Sequence, residues 1–131
     1  MSNEPITVSF PGGRKVDVDI NGFTVATDQG VKSGGQGSAP EPSTLFLASI
    51  AACGGFYALA FCEKRDIPTQ GLCVNMNLVK DAKGNLDKIT LNLALPEEFP
   101  DKYRDAIVRA VDLCWVKKQI QNAPEFAVVV E

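Results

Sequence analysis

Apolar and polar positions alternate along the first stretch of the chain. Ile6-Thr7-Val8-Ser9-Phe10 steps from one face to the other, Pro11-Gly12-Gly13 turns the chain, and Val16, Val18 and Ile20 alternate with Lys15, Asp17 and Asp19. Asn21-Gly22 follows, two residues that tolerate the positive φ of a type I′ hairpin, and then Phe23-Thr24-Val25-Ala26-Thr27. Residues 1–28 therefore predict a three-stranded β-meander. The pattern then stops. Residues 29–41 are polar and glycine-rich, centred on Gly34-Gly35-Gln36-Gly37-Ser38. Their spacing matches neither GxGxxG nor GxxxxGK[ST], so a mobile connection or binding loop is expected rather than a phosphate cradle.

From Pro42 to Cys62 no residue is charged. Length alone allows a membrane span, but many of these positions are Ala, Gly, Ser or Cys and the flanking strands are amphipathic. A helix apolar on every side is also what a fully covered core helix looks like, and that is the expectation here. Ser43 or Thr44 is the expected N-cap, and Glu63-Lys64-Arg65 with Pro68 marks the exit. Two further strands follow. Leu72, Val74, Met76 and Leu78 alternate with Cys73, Asn75 and Asn77; Asp81-Ala82-Lys83-Gly84-Asn85 turns; Ile89, Leu91, Leu93 and Leu95 alternate with polar neighbours. Asp101 can cap a second helix with the stripe Tyr103, Ala106, Ile107, Ala110, Val111 and Cys114. Pro124 ends it, and residues 126–130 are expected as a closing strand. The chain reads as one α+β domain, residues 1–131, with 42–131 in the order helix-strand-strand-helix-strand.

Composition narrows the chemistry. Of 131 residues 45% are apolar and 22% charged, the net charge is −3, and no basic run is present, so a nucleic-acid surface is not expected. There is no histidine. That excludes Ser-His-Asp triads, Cys-His pairs and HExxH zinc helices, leaving carboxylate, Lys, Tyr and Cys chemistry. Met1-Ser2-Asn3-Glu4-Pro5 lacks the basic and apolar regions of a secretory signal, so a cytoplasmic chain with reduced thiols is expected.

The cysteines are Cys53, Cys62, Cys73 and Cys114, with no CxxC among them. Cys53 and Cys62, nine residues apart on one helix, are separated by roughly 13.5 Å along its axis. A disulfide needs Cα atoms about 4.4–6.8 Å apart, so those two cannot bridge. Cys73 falls on the polar face of its strand. Cys53 and Cys114 are the pair that two packed helices can bring together. A buried cysteine is otherwise an inert small hydrophobe, and Cys53 lies too deep in its helix for the N-terminal dipole, so a thiolate there requires a cation from elsewhere.

The segment Ala39-Pro40-Glu41-Pro42-Ser43-Thr44-Leu45-Phe46-Leu47-Ala48-Ser49-Ile50-Ala51-Ala52-Cys53 resembles the signature of the OsmC/Ohr family, and Ala110-Val111-Asp112-Leu113-Cys114 resembles its second cysteine site. The resemblance implies an intertwined homodimer in which antiparallel sheets wrap two central helices. It also implies a thiol peroxidase for organic hydroperoxides, with Cys53 attacking the peroxide and Cys114 resolving it. A dithiol such as a lipoyl-protein then restores the pair, with no metal or bound organic cofactor and no membrane partner.

There are departures. Ser43 stands ten residues before Cys53, where the peroxidase branches carry a thiolate-activating glutamate partnered by arginine. Glu41 is the nearest substitute, given a loop shift, and Arg14 the corresponding cation. Trp115 stands where the family usually has proline. These departures indicate an OsmC-like branch. They also keep open a second class of function, a non-catalytic dimeric binder with an apolar pocket beside Phe46, Tyr57 and Trp115.

Overall fold

Alternating patterns become antiparallel hairpins in the computed structural model, which describes residues 4–131. The first three residues, included above in the meander and in the signal-peptide reading, lie outside it. The chain forms two compact units, residues 1–48 and 49–131.

In the first unit β1 (Thr7–Gly12), β2 (Lys15–Ile20) and β3 (Phe23–Thr27) make one antiparallel sheet in that order. The β2–β3 register pairs Ile20 with Phe23 across Asn21-Gly22. Asn21 has φ 50° and Gly22 φ 79°, the doubly positive backbone that the dipeptide was expected to supply. At the far end Val16 pairs with Thr27, whose hydroxyl donates to the Val16 carbonyl at 2.6 Å.

The glycine-rich loop is not the slack connection that its composition suggests. Residues 28–41 fold around the carboxylate of Asp28, which is only 1% exposed. A 3₁₀ turn, Val31–Ser33, occupies the loop's first half. Gly35 N–H donates to Gly30 O at 3.1 Å, Gly37 N–H to Gln29 O at 3.0 Å, and Asp28 N–H to Pro40 O at 3.2 Å, closing the loop at its base.

Helix α1 (Pro42–Lys64) begins in the first unit and continues into the second. It starts at Pro42, before the expected caps Ser43 and Thr44, because proline's fixed φ and missing N–H suit the first helical position. The first helical bond runs from Leu45 N–H to Glu41 O. Among the described residues α1 is the one helix long and apolar enough to cross a membrane by length and composition. Ile50, Gly54, Ala58, Phe61 and Cys62 are nevertheless a buried stripe on it, and the apolar remainder includes exposed Phe46, Phe56 and Leu59.

The second unit places β4 (Cys73–Lys80) antiparallel to β5 (Leu86–Ala94), with Met76 opposite Leu91. Its core joins Ala58, Phe61, Cys62, Ile67, Phe99, Ile107 and Val111. Burial of each large side chain here is worth about 1.5–3 kcal/mol. The sheet can approach α1 closely because Gly54 has no side chain: a Cβ there would lie 2.7 Å from Leu91 Cδ1.

Two expectations for the C-terminal part need correction. The second helix is not continuous: α2 (Arg104–Asp112) stops, and α3 (Trp115–Gln121) restarts after Leu113 and Cys114. Residues 126–130 form no strand. Phe126, Val128 and Val130 are 86–99% exposed, and a strand forms only where another edge accepts its hydrogen bonds, which no described residue of this chain does.

Candidate functional site

Cys53 lies in the uninterrupted middle of α1, half-buried, whereas Cys114 occupies the break between α2 and α3 and is 2% exposed. The break turns Cys114 out of a helix interior and into the N-cap position of α3, with φ −50° and ψ 126°. Lys117, on the new helix, donates to the Asp112 carboxylate of the old one. Five residues apart, these side chains would diverge on one continuous helix, so the pair records the interruption.

The two thiols meet in the second unit, as the apolar stripe predicted. Burial is the main cause that pushes the Cys114 thiol up, and its hydrogen-bonding contact with the Cys53 thiol adds to this. The amides of Lys117 and Val116 act in the opposite direction, favouring negative charge on the Cys114 sulfur. Cys53 is thus half-buried, while its neighbour is buried, with a thiol pushed up by that burial and amides beside it that act the other way.

The other two cysteines lack this environment. Cys62 is fully buried and its thiol is pushed up by desolvation, which the nearby Arg65 guanidinium only partly offsets. Arg65 is itself occupied, stacked 3.6 Å above the Phe61 ring centre and donating to Phe61 O. Cys73 is exposed beside Asn75.

Arg14 and Glu41 belong to the first unit, and both rest on the loop. A Cβ at Gly34 would lie 3.3 Å from Arg14 Nε, and one at Gly30 would lie 3.4 Å from Glu41 Oε1. Ser43 is an exposed first-turn residue of α1. Sequence reasoning missed Asp28. Its carboxylate accepts from Gln29 N–H at 2.8 Å, Gln36 N–H at 3.3 Å, Ser38 N–H at 3.1 Å and Ser38 Oγ at 2.6 Å. The Ser38 hydroxyl is the leading cause, followed by the Ser38 and Gln29 amides, of a carboxyl pKa lowered from 3.8 to about 2. An aspartate opening a Gly/Ser-rich loop is the signal that could have found it.

A groove of about 790 Å³ opens on the second unit. Ile50, Leu91, Leu93, Ile107 and Val111 contribute apolar surface, Lys88, Arg104, Asp105, Asp112 and Lys117 contribute charge, and Cys114 is part of its wall. Phe46, Tyr57 and Trp115, beside which a pocket was expected, do not line it.

The architecture has solved counterparts. A Psychrobacter arcticus protein assigned to the osmotic-stress and detoxification response is similar, with a TM-score of 0.74 at 19% identity over 91% of this chain and 89% of that one. An organic hydroperoxide resistance protein OsmC from Legionella pneumophila gives 0.57 at 18%, covering 92% of both chains. The organic hydroperoxide resistance protein OhrB of Bacillus subtilis gives 0.52 at 20%, covering 93% and 94%. At these identities the likeness is one of fold. No curated protein matches in sequence. Residues 35–129, which contain both Cys53 and Cys114, match the family model described as OsmC-like protein. With most of its length so matched, this chain belongs to the OsmC-like family.

Proposed function

We propose that the protein reduces organic hydroperoxides through Cys53 and Cys114. The observation that carries this reading is the contact between a half-buried thiol at Cys53 and a buried one at Cys114. The Cys53 thiolate attacks the distal peroxide oxygen; the O–O bond breaks, the alkoxide leaves and takes a proton as the alcohol, and Cys53 becomes a sulfenic acid. Cys114 then attacks that sulfur, hydroxide leaves as water, and a disulfide forms. Two thiol–disulfide exchanges with a dithiol, such as a protein-bound lipoyl group, restore both thiols and leave the dithiol oxidised. No metal or organic cofactor enters these steps.

Arg14 and Glu41 complete the proposal as the groups that favour the Cys53 thiolate, the arginine by charge and the carboxylate by orienting it. A homodimer belongs to the same reading. It is supported by exposed Phe46, Phe56 and Leu59 on α1 and by the exposed apolar run 126–130, surfaces that a second copy would cover. A cytoplasmic location, where thiols stay reduced, fits this chemistry. The test is consumption of an organic hydroperoxide in the presence of a dithiol, comparing wild type with Cys53→Ser. Equal rates would end the reading.

A non-catalytic binder is the second reading, and the groove beside Cys114 favours it. Native mass spectrometry of the purified protein with added apolar ligands separates the two: a retained ligand together with peroxide-inert cysteines supports the binder.

A further inference from the structure

The groove on the second unit distinguishes between the two thiols. Cys114 is part of its wall and Cys53 is not. Both cysteines, and every residue lining the groove, fall within residues 49–131. The surfaces assigned above to the homodimer, Phe46, Phe56 and Leu59 on α1 and the run 126–130, do not line it.

Cys114 touches the Cys53 thiol on one side and borders the groove on another, so the groove meets the pair from the Cys114 side. Cys114 is buried, so the opening onto its sulfur is narrow. Ile50, Leu91, Leu93, Ile107 and Val111 make the approach largely apolar. At about 790 Å³ the groove is large enough for a small organic molecule. A slender, mostly apolar thiol carrier fits such a route.

Thiol–disulfide exchange depends on which sulfur is approached. The incoming thiolate reaches a disulfide sulfur in line with the S–S bond, from the side away from the sulfur that leaves. In the oxidised pair the groove offers that approach to Cys114 and not to Cys53. The leaving groups favour the same choice. Attack at Cys114 expels the half-buried Cys53, whereas attack at Cys53 would expel Cys114, where burial opposes negative charge. Burial does not disqualify Cys114 here, because a disulfide sulfur under attack accepts electrons and has no proton to lose.

We infer that the reducing dithiol enters through this groove and attacks Cys114, so that oxidant and reductant act on different sulfurs of the pair. The inference rests on the proposed peroxidase reading and deepens it by naming the sulfur at which reduction begins. A thiolate of the dithiol bonds to Cys114 Sγ, the Cys53–Cys114 bond breaks, and Cys53 leaves with the electron pair. The second thiol of the carrier, deprotonated, then attacks the carrier's first sulfur, closes a cyclic disulfide and expels Cys114. Two electrons pass from the dithiol to the cysteines, and its two protons are taken up by them or by solvent.

The experiment oxidises full-length wild type with one equivalent of cumene hydroperoxide and confirms the Cys53–Cys114 disulfide by peptide mapping without reduction. The oxidised protein is mixed with 2-mercaptoethanol, a monothiol that stops at the mixed disulfide, and quenched at short times with excess N-ethylmaleimide. The mercaptoethanol adduct is expected on Cys114 and the maleimide on Cys53, in about tenfold or greater excess over the reverse. In a second arm the disulfide is reduced with dihydrolipoamide. Val108→Trp and Ile120→Trp, at exposed positions in the groove, slow this reduction about tenfold or more relative to their effect on peroxide-driven disulfide formation. Val79→Trp, at an exposed position on β4 outside the groove, slows neither step.

Mercaptoethanol found mainly on Cys53, or equally on both cysteines, overturns the inference and leaves the peroxidase reading intact, since the disulfide has by then formed. A dihydrolipoamide rate that neither groove substitution slows overturns it as well. If the hydroperoxide produces no disulfide, the peroxidase reading fails and this inference fails with it.

Discussion

Cys53 and Cys114 each sit on a segment that the sequence reads as one continuous helix, and the backbone treats the two in opposite ways. The helix carrying Cys53 runs unbroken from Pro42 to Lys64, so Cys53 is held by rigid neighbours on both sides and stays half-buried. The segment carrying Cys114 is broken at that residue, which buries the thiol and places it ahead of a new helix with the amides of Val116 and Lys117 acting on its sulfur. The difference teaches how two identical side chains acquire different chemistry. In the proposed reaction the half-buried thiol is the one that meets the peroxide, and the buried thiol beside amides is the one that resolves it.

Breaking this asymmetry gives the largest expected effect. Cys53→Ser lowers hydroperoxide consumption with a dithiol at least a hundredfold, because the thiol proposed to attack the peroxide is gone. Cys114→Ser retains the first turnover in a rapid-mix experiment and fails to form the disulfide. The effects differ in kind, which is the content of the comparison.

Next in size is the packing that holds the two thiols together. Gly54, adjacent to Cys53, faces Leu91 Cδ1 and Val111 Cγ1 at 2.7 and 3.5 Å from where a Cβ would stand. Gly54→Leu overfills this contact and costs about 1–3 kcal/mol in urea unfolding. It also slows disulfide formation more than it slows Cys53 oxidation. Ile107→Ala, a cavity at a fully buried site of the same core, lowers stability by about 2–5 kcal/mol.

Alkylation of the native protein sharpens the comparison without mutation. Cys53 and the exposed Cys73 react at least tenfold faster than Cys62 and Cys114, and unfolding removes the difference. Mass-mapped labelling at pH 8 reads this directly.

The pH dependence of stability is the smallest effect near neutrality and appears at both ends. Asp28 has a lowered pKa, so its contribution is complete above 3.8 and is lost as pH falls through about 2. Cys62 and Cys114 have raised values, so the folded state keeps their protons longer than the unfolded chain. The stability this gives is lost as pH rises beyond 9.0. Urea midpoints measured from pH 2 to 10 therefore fall at the two extremes, with Asp28→Asn flattening the acid limb.

Much of this was legible in the residues. Strict alternation and the Asn21-Gly22 turn placed the hairpins, because a side-chain period of two leaves few registers that bury one face. The Cys53–Cys114 pairing followed from the stripe Tyr103 to Cys114. The helix break did not, since that stripe continues past the stop at Asp112 and periodicity has no term for an end formed by packing. The loop at 28–41 was misjudged because glycine content records what a backbone can do and not what holds it. There the single buried carboxylate of Asp28 outweighs the composition of thirteen neighbours. The run 126–130 carries strand-forming residues, but a strand's partner is not written in the strand itself.

The most direct test of the central claim is the intact mass of the wild-type protein after one equivalent of an organic hydroperoxide, followed by peptide mapping without reduction. The account predicts a loss of two hydrogens, with the Cys53 and Cys114 peptides linked, and a gain of one oxygen at Cys53 when Cys114 is serine. An unchanged mass, or a disulfide that joins any other pair of the four cysteines, would contradict it.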